Sequence, residues 1–499
     1  MVTLSVPPAS SGLEDEKARR QARLETLTAA FGDPFLVTRF AKTHSAAALK
    51  AQFVSLAAGD RTDTPVSVAG RIMALRNGGM FLDVLDDTDR VQVFHDLKNL
   101  SPERKAWLEL LDLGDIVGVA GTVRRTPRGE LTVDATEGQV LSKALEPPPS
   151  TFHGLKDTDT RFRRREQDLV ANPRSRQTLR ARFTMIATLR RTLESRDFLE
   201  VETPMLHTVA GGALARPFVT HHNALDMPLY LRVAPELHLK RLVIGGLAEK
   251  VFEINRCFRN EGLSPRHNPE FTSVEIYQAY ADFRTMLDLT ETLVYEAAMA
   301  LHGTPRVTFD GDVLDFTPPW PRKSMTELIR EHTGFDFAAL PDADEARGAA
   351  ASLGVHVDPS FDWGRTVEAV FAAKVEDRLI QPVHVVDLPK SLSPLAKAWP
   401  DRPEVAQRFE TYINGWEIAN AYSELNDPRE QRARFEAQAN ERRGPDEPPH
   451  PVDESFLSAL AFGMPPMAGL GIGIDRLAIL LTDSTSIREV IAFPTLRPE

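Results

Sequence analysis

The chain of 499 residues has a single cysteine, Cys257. It can form no intrachain disulfide and cannot supply a thiolate cluster for zinc; within alternating strand text it is expected as a small strand residue, not a nucleophile. No run approaches the ~20 apolar residues needed to cross a bilayer, so no membrane segment is expected. The first residues, MVTLSVPP and then Glu/Lys/Arg-rich text, lack a basic start leading into an apolar stretch. No secretory signal is predicted, and the cytoplasm is the expected location. Excess positive charge is missing too: 59 Lys and Arg stand against 71 Asp and Glu, a formal net charge of −12. Indiscriminate nucleic-acid binding by bulk charge is thereby excluded, although a structured RNA held by local basic patches is not. Two such patches exist, Lys17, Arg19, Arg20 and Arg23 on a helix expected over 13–30, and Arg161, Arg163, Arg164 and Arg165; each reads first as solvated charged surface. The neighbours His221 and His222 would point to opposite faces of a strand and are assigned to a solvated loop, not a metal site. No internal repeat occurs.

What is present is ordinary globular text, 42% hydrophobic and 26% charged, at a length that calls for two or more domains. Residues 1–64 read as a helical extension and connector. Short alternating strands follow over 66–75, 79–85, 90–94, 116–125 and 130–141, with a helix over 102–111 after the third. That is the layout of an OB-fold barrel, placed here over 65–145, whose outer sheet commonly binds single-stranded nucleic acid. The run Glu146, Pro147, Pro148 and Pro149 opens a linker over 146–173. A second domain is assigned to 174–499. It opens with an amphipathic helix over 174–196, carrying Leu179, Phe183, Ile186, Leu189 and Leu193 at helical spacing, and a strand over 197–206. Helices are expected over 324–331 and 366–376, and an apolar strand over 383–387. The class is α+β: a β-barrel, then an antiparallel sheet flanked by helices.

The chemistry concentrates in RCFRNEGLSPRHNPEFT, residues 256–272. Before it Phe252, Ile254 and Phe258 alternate with Glu253, Asn255, Arg259 and Glu261. After it Phe271, Glu275 and Tyr277 share one face. Paired as a hairpin, the two runs present a guanidinium, carboxylates, a phenol and a phenyl ring on one surface. A second hairpin signal is the pair Asn414 and Gly415, which sets Tyr412 opposite Glu417 and Glu410 opposite Ala419. Glu410 and Glu417 are then diagonal neighbours, roughly 7 Å apart at the backbone, able to converge on one hard cation. Near the end, AGLGIGIDRLAILL (468–481) is a glycine-rich strand running into an apolar helix. It is no Walker loop, because no Gly-Lys-Ser/Thr follows.

These segments together resemble the class II aminoacyl-tRNA synthetases in the form carried by lysyl-tRNA synthetases. Residues 256–272 resemble motif 2, 197–206 motif 1, and 468–481 motif 3. The likeness is continued by Gly211, Gly212, Ala213 and Arg216, by Glu236 in LRVAPELHLK, and by Glu417, Asn420 and Glu424 in EIANAYSELND. The resemblance implies ATP-dependent activation of L-lysine and its transfer to tRNA(Lys), with Mg²⁺ and a homodimer joined through motif 1. It implies that Arg259 and Arg476 are catalytic, and that Glu261, His267, Asn268 and Phe271 join them in holding ATP. Glu236, Arg259, Glu275, Tyr277, Asn420 and Glu424 would hold lysine, Glu410 and Glu417 the metal, and Arg71, Phe81, Gln92 and Glu130 the anticodon. Strict alternation puts Asn420 and Glu424 on the face opposite Glu417, so a bulge or bend is predicted between them. The family often has glycine at Ala419 and Ala421, and phenylalanine at Tyr422. Three alternatives stand beside this: a paralogue that modifies a protein such as elongation factor P, an aspartyl- or asparaginyl-type synthetase, and a non-catalytic RNA-binding scaffold. The barrel disfavours the first, Glu424 with Tyr277 the second, and the intact motif arginines and metal acids the third.

Overall fold

A computed structural model describes residues 12–149, 155–209, 211, 215–440 and 452–498. Gly212 and Ala213 lie outside the described residues. The chain divides into two compact units, Met1–Asn172 and Pro173–Glu499.

In the first unit α1 (Leu13–Phe31) and α2 (Ala46–Gln52) precede β1 (Arg61–Arg76), β2 (Phe81–Leu85) and β3 (Arg90–Phe94). Then come α3 (Pro102–Glu109), β4 (Ile116–Arg125), β5 (Leu131–Ser142), α4 (Thr158–Arg163) and α5 (Arg165–Ala171). The strands close a barrel in the order β1-β2-β3-β5-β4. Every second residue, among them Val66, Val68, Leu82, Val84, Val91, Val93, Val117, Val119 and Val133, fills its interior, as the pleat requires. The basic residues of α1 are not a solvated patch. Arg20 is buried and donates to the carbonyls of Leu113 and Ala144, and Arg23 pairs with Asp112 at 2.5 Å. Asp112 in turn shares the buried Lys143 with Asp115, so the charges serve to dock the helix on the barrel. Likewise Arg161 and the buried Arg165 both pair with Asp168.

The second unit begins with α6 (Pro173–Glu194), β6 (Leu199–Glu200), β7 (Leu206–His207), β8 (Val219–His222), β9 (Met227–Leu231) and α7 (Glu236–Ile244). It continues with β10 (Lys250–Phe258), β11 (Glu270–Ala279), α8 (Phe283–His302), β12 (Arg306–Phe309), β13 (Asp312–Asp315) and β14 (Arg322–Ser324). Helices α9 (Met325–Thr333), α10 (Ala343–Ser352) and α11 (Trp363–Lys374) lead to β15 (Val383–Val386), β16 (Arg408–Ile413) and β17 (Trp416–Ser423). The last elements are α12 (Pro428–Asn440), α13 (Glu454–Gly463), β18 (Met467–Gly473), α14 (Ile474–Leu481) and α15 (Ile487–Val490). Eight strands form one sheet in the order β14-β15-β16-β17-β18-β11-β10-β6. Its covered face is the main core, where Phe252, Val274, Ile276, Phe409, Leu470 and Ile472 meet α6, α8 and α14.

Three expectations need correcting. The strand expected over 197–206 survives only as Leu199–Glu200, parallel to β10, because Pro204 lacks an amide donor and Leu206 turns into the separate β7-β9-β8 sheet. On α6 the apolar stripe fails at Phe183, which is 56% exposed, while Arg182 is buried and bonds Asp475 and Thr272. His221 and His222 belong to a strand, β8, not a loop.

Candidate active site

The open face of the sheet is the floor of a cavity of about 500 Å³. β10 and β11 pair with Glu253 opposite Glu275 and Val251 opposite Tyr277, so the polar alternates of both strands rise on one side. Glu253 and Asn255 are consumed there by structural partners: Glu253 takes Arg232 and Thr203, and Asn255 takes the Cys257 thiol. Burial pushes that thiol up to about 12, so the lone cysteine is inert.

The second hairpin turns at Asn414 and Gly415, both left-handed (φ 53° and 67°), as a tight two-residue turn requires. Tyr412 pairs with Glu417 as expected, but Glu410 pairs with Asn420, not Ala419. The cause is a bulge at Ile418, which adds one residue to β17 and brings Asn420 and Tyr422 to the side of Glu417. Between the hairpins runs β18, whose glycines alternate beneath the cavity. A Cβ on Gly469 would stand 2.3 Å from Glu424 Oε1 and 2.5 Å from Tyr277 Cε1; one on Gly471 would meet Glu275 Oε1 at 3.1 Å. The bare backbone makes room for three functional side chains.

The cavity has a cationic, aromatic end and an acidic, closed end. At the first lie Arg259, Glu261, His267, Asn268, Phe271 and Arg476. The Arg259 guanidinium stands 5.0 Å over the Phe271 ring, and its buried Nε has no hydrogen-bond partner among the described residues. Asn268 donates to the Glu270 carbonyl, shaping the loop. Arg476, at the start of α14, donates to the Glu417 carbonyl at 2.7 Å and lies 3.0 Å from His267 Nε2. Its neighbour Asp475 accepts from Arg182 and from the Thr272 amide, which fixes the helix start. Burial and then Arg476 lower the His267 pKa, leaving a neutral imidazole at pH 7.

At the closed end Glu236, Glu275, Tyr277, Tyr422 and Glu424 come together with Lys240 of α7. Glu424 is fully buried, and among the described residues neither of its oxygens has a partner in hydrogen-bond geometry; Lys240 Nζ pairs with Oε2 at 2.5 Å. Burial lifts Glu424 to about 8 against the pull of Lys240. The Tyr422 hydroxyl donates to Glu236 Oε1 at 2.5 Å, so tyrosine in place of the family's phenylalanine adds a donor to that carboxylate. Tyr277 donates to Glu275 at 3.3 Å. Burial, followed by Glu236, pushes Glu275 up to about 8. Its folded-state pKa thus exceeds the ~4.3 of an exposed glutamate, so its contribution to stability is complete below that value and lost as pH rises through 8. Glu275→Gln should therefore match the parent's melting temperature at about pH 4 and exceed it at about pH 9, as a pH series of thermal melts will read.

Between the two ends, Arg408 ties Asn420 Oδ1 (3.1 Å) to Glu410 Oε1 (2.6 Å), and Tyr412 donates to Glu410 Oε2 at 2.9 Å. Burial, and then Glu417, raise Glu410 to about 7 although Arg408 pulls it down. Sequence reasoning missed Lys240, Arg408 and the purpose of Gly469 and Gly471. The Glu236 and Lys240 spacing of four on a helix was the available signal for the first.

On the barrel, Phe81 is half-buried on the outer wall, its ring 5.2 Å from Phe94, and Arg76 lies 5.9 Å above it. Gln92 joins this face through Arg76 and Thr132. Arg71 does not: it pairs with Leu85 at the far end of β2 and donates to the Gly114 carbonyl. Glu130 is exposed just before β5.

Residues 157–497 match the family described as tRNA synthetases class II (D, K and N), and residues 66–141 match the OB-fold nucleic acid binding domain. A lysine–tRNA ligase of Moorella thermoacetica is 51% identical over 471 residues, covering 94% of each chain. One of Pelotomaculum thermopropionicum is 50% identical, covering 92% of this chain and 90% of its own. One of Sinorhizobium medicae is 47% identical across 98% of both.

Proposed function

This chain belongs to the class II tRNA synthetases of the D, K and N group, and from that membership we propose that it performs the two steps of lysine–tRNA ligation. L-lysine is joined through its carboxylate to the ATP α-phosphate with release of pyrophosphate, and the lysyl group then passes to the terminal ribose of tRNA(Lys). The observation that carries the choice of lysine is the Glu424 carboxylate, fully buried behind the Tyr277 and Tyr422 wall of the cavity, paired with Lys240 and without a hydrogen-bond partner among the described residues.

A carboxylate is already ionised at pH 7, so the first step needs no general base. It needs two anions aligned and their repulsion relieved. Arg259, with an unsatisfied Nε, is assigned to bridge the lysine carboxylate and the α-phosphate. Arg476 and the α14 amides take the γ-phosphate. Phe271 stacks on adenine, and Glu261, His267 and Asn268 hold the nucleotide. Glu236 receives the α-amino group, Glu424 with Tyr277 and Glu275 the ε-ammonium, and Asn420 the amino-acid backbone.

Glu410 and Glu417 fit a hard divalent cation such as Mg²⁺: both offer carboxylate oxygens on one face of the β16–β17 hairpin, and Glu417 still raises Glu410 although Arg408 pairs with it. Among the described residues no third acid or histidine joins them, which suits a cation that takes one or two carboxylates and completes its shell from phosphates and water. When bound, such an ion draws charge from the phosphates.

The outer barrel face with Phe81, Phe94, Arg76 and Gln92 is the proposed anticodon surface, with exposed Glu130 just before β5; Arg71, turned to the Gly114 carbonyl, is left out of it. A homodimer is the expected assembly, and exposed Phe183, Leu199, Met205 and Leu206 leave apolar surface for it. Among the described residues no helix is long and apolar enough to cross a membrane, and the cytoplasm is the expected site of tRNA charging.

The test is ATP–pyrophosphate exchange with each of the twenty amino acids, followed by charging of total tRNA. Exchange with lysine alone and charging of one tRNA family are expected. Exchange with aspartate or asparagine would overturn the specificity, and lysine exchange without tRNA charging would favour a protein acceptor.

A further inference from the structure

Lys240 is 1% exposed, one turn along α7 from Glu236. Its Nζ lies 2.5 Å from Glu236 Oε1 and 2.5 Å from Glu424 Oε2, so these two oxygens are held no more than 5 Å apart. Three rings close round the ammonium, Tyr422 at 5.5 Å and Tyr277 and Phe456 each at 5.9 Å. Among the described residues, the other charged groups acting on this cluster include Glu275 on β11, Arg259 just beyond β10, Lys397 on the segment before β16 and Arg408 on β16.

A lysine desolvated in this way adds little to stability. Taking its charge and two carboxylates out of water costs as much as their attraction returns, and an apolar side chain of the same volume would pack the site as well. What it supplies is geometric and electrostatic. The carboxylates assigned to the two amino groups of the substrate sit on different elements, α7 and the end of β17, and they repel one another; Lys240 is the group that joins them.

We propose, resting on the functional reading above, that Lys240 is a positioning residue for amino-acid selection: its ammonium ties Glu236 and Glu424 at a set spacing and supplies the counter-charge both need to face a diamino acid. The substrate cations meet the remaining faces of the two carboxylates, among them Glu424 Oε1, which has no hydrogen-bond partner among the described residues. Burial pulls the Lys240 pKa down, but Glu236 and Glu424 outweigh it and raise it, so the ammonium is a permanent charge. In this role it acts through Glu236 and Glu424 alone and has no part in holding ATP.

The test is pyrophosphate exchange by the full chain carrying Lys240→Met or Lys240→Arg, with KM for lysine and for ATP measured separately across pH. Lys240→Met should lower kcat/KM for lysine by roughly a hundredfold, with KM for ATP unchanged. The acid limb of its pH profile should move to higher pH, because a carboxylate without its cation ionises less readily. Lys240→Arg keeps the charge but not the spacing. It should retain the parent's acid limb and raise KM for lysine about tenfold. Should Lys240→Met not fold, Lys240→Arg decides alone: a parental KM for lysine overturns the proposal. A parent that exchanges with some other amino acid and not with lysine defeats the functional reading itself. A parent that exchanges with lysine while both variants keep its KM defeats only the role of Lys240.

Discussion

Glu424→Gln should lower lysine-dependent pyrophosphate exchange by roughly a thousandfold while ATP binding is retained. The carboxylate is fully buried, and its desolvation is offset only by the ammonium groups that face it. Glutamine keeps the shape and removes the charge, so the incoming ε-ammonium is left in a dry pocket without its anion. Breaking a buried pair in this way costs about 3–5 kcal/mol, and each 1.36 kcal/mol is tenfold. The nucleotide end is separate, since Arg259, Phe271 and Arg476 make no contact with Glu424. Exchange assays together with ATP titration distinguish a lost amino-acid site from a damaged fold. Unchanged lysine activation would show that this acid is not the ammonium partner.

Arg259→Ala should lower exchange about a thousandfold as well, but by a different route. The guanidinium lies over Phe271 with a buried Nε unspent, at the cationic end of the cavity. Preorganised donors of this kind act chiefly on charge that develops in the transition state, where removing one costs about 10²–10³ in kcat. The stacking on Phe271 is lost too. The fall should therefore lie mainly in kcat, with smaller changes in KM for either substrate. A variant whose KM for ATP rises while kcat holds would make Arg259 a binding residue only.

Much of this site was legible in the sequence because it rests on local rules. Alternation in two strands assigned the faces of β10 and β11, and Asn414 with Gly415 located the second turn. The bulge in β17 was legible as a necessity, since Glu417, Asn420 and Glu424 could not otherwise share a side. Its position was not, and the partner of Glu410 was therefore misassigned by one residue. The valine alternation of the barrel was equally plain.

What stayed hidden depends on distant partners. Glu236 and Lys240 read as a common helix pair until Glu424, far along the chain, is placed beside them. Phe183 reads as core and Arg182 as surface unless Asp475 is known to lie under α6. The basic patch on α1 reads as solvated charged surface until Asp112 and the carbonyls of Leu113 and Ala144 are seen to take it up.

The bare strand beneath the closed end has a consequence for how the chain's substrate preference can drift. No residue is smaller than glycine, so at Gly469 and Gly471 this chamber is already as deep as its architecture permits. Every substitution there can only raise the ground under Glu424, Tyr277 and Glu275. Mutation at these two positions can thus carry the enzyme only toward shorter guests; room for a longer one has to come from the side walls, such as Tyr277 and Tyr422.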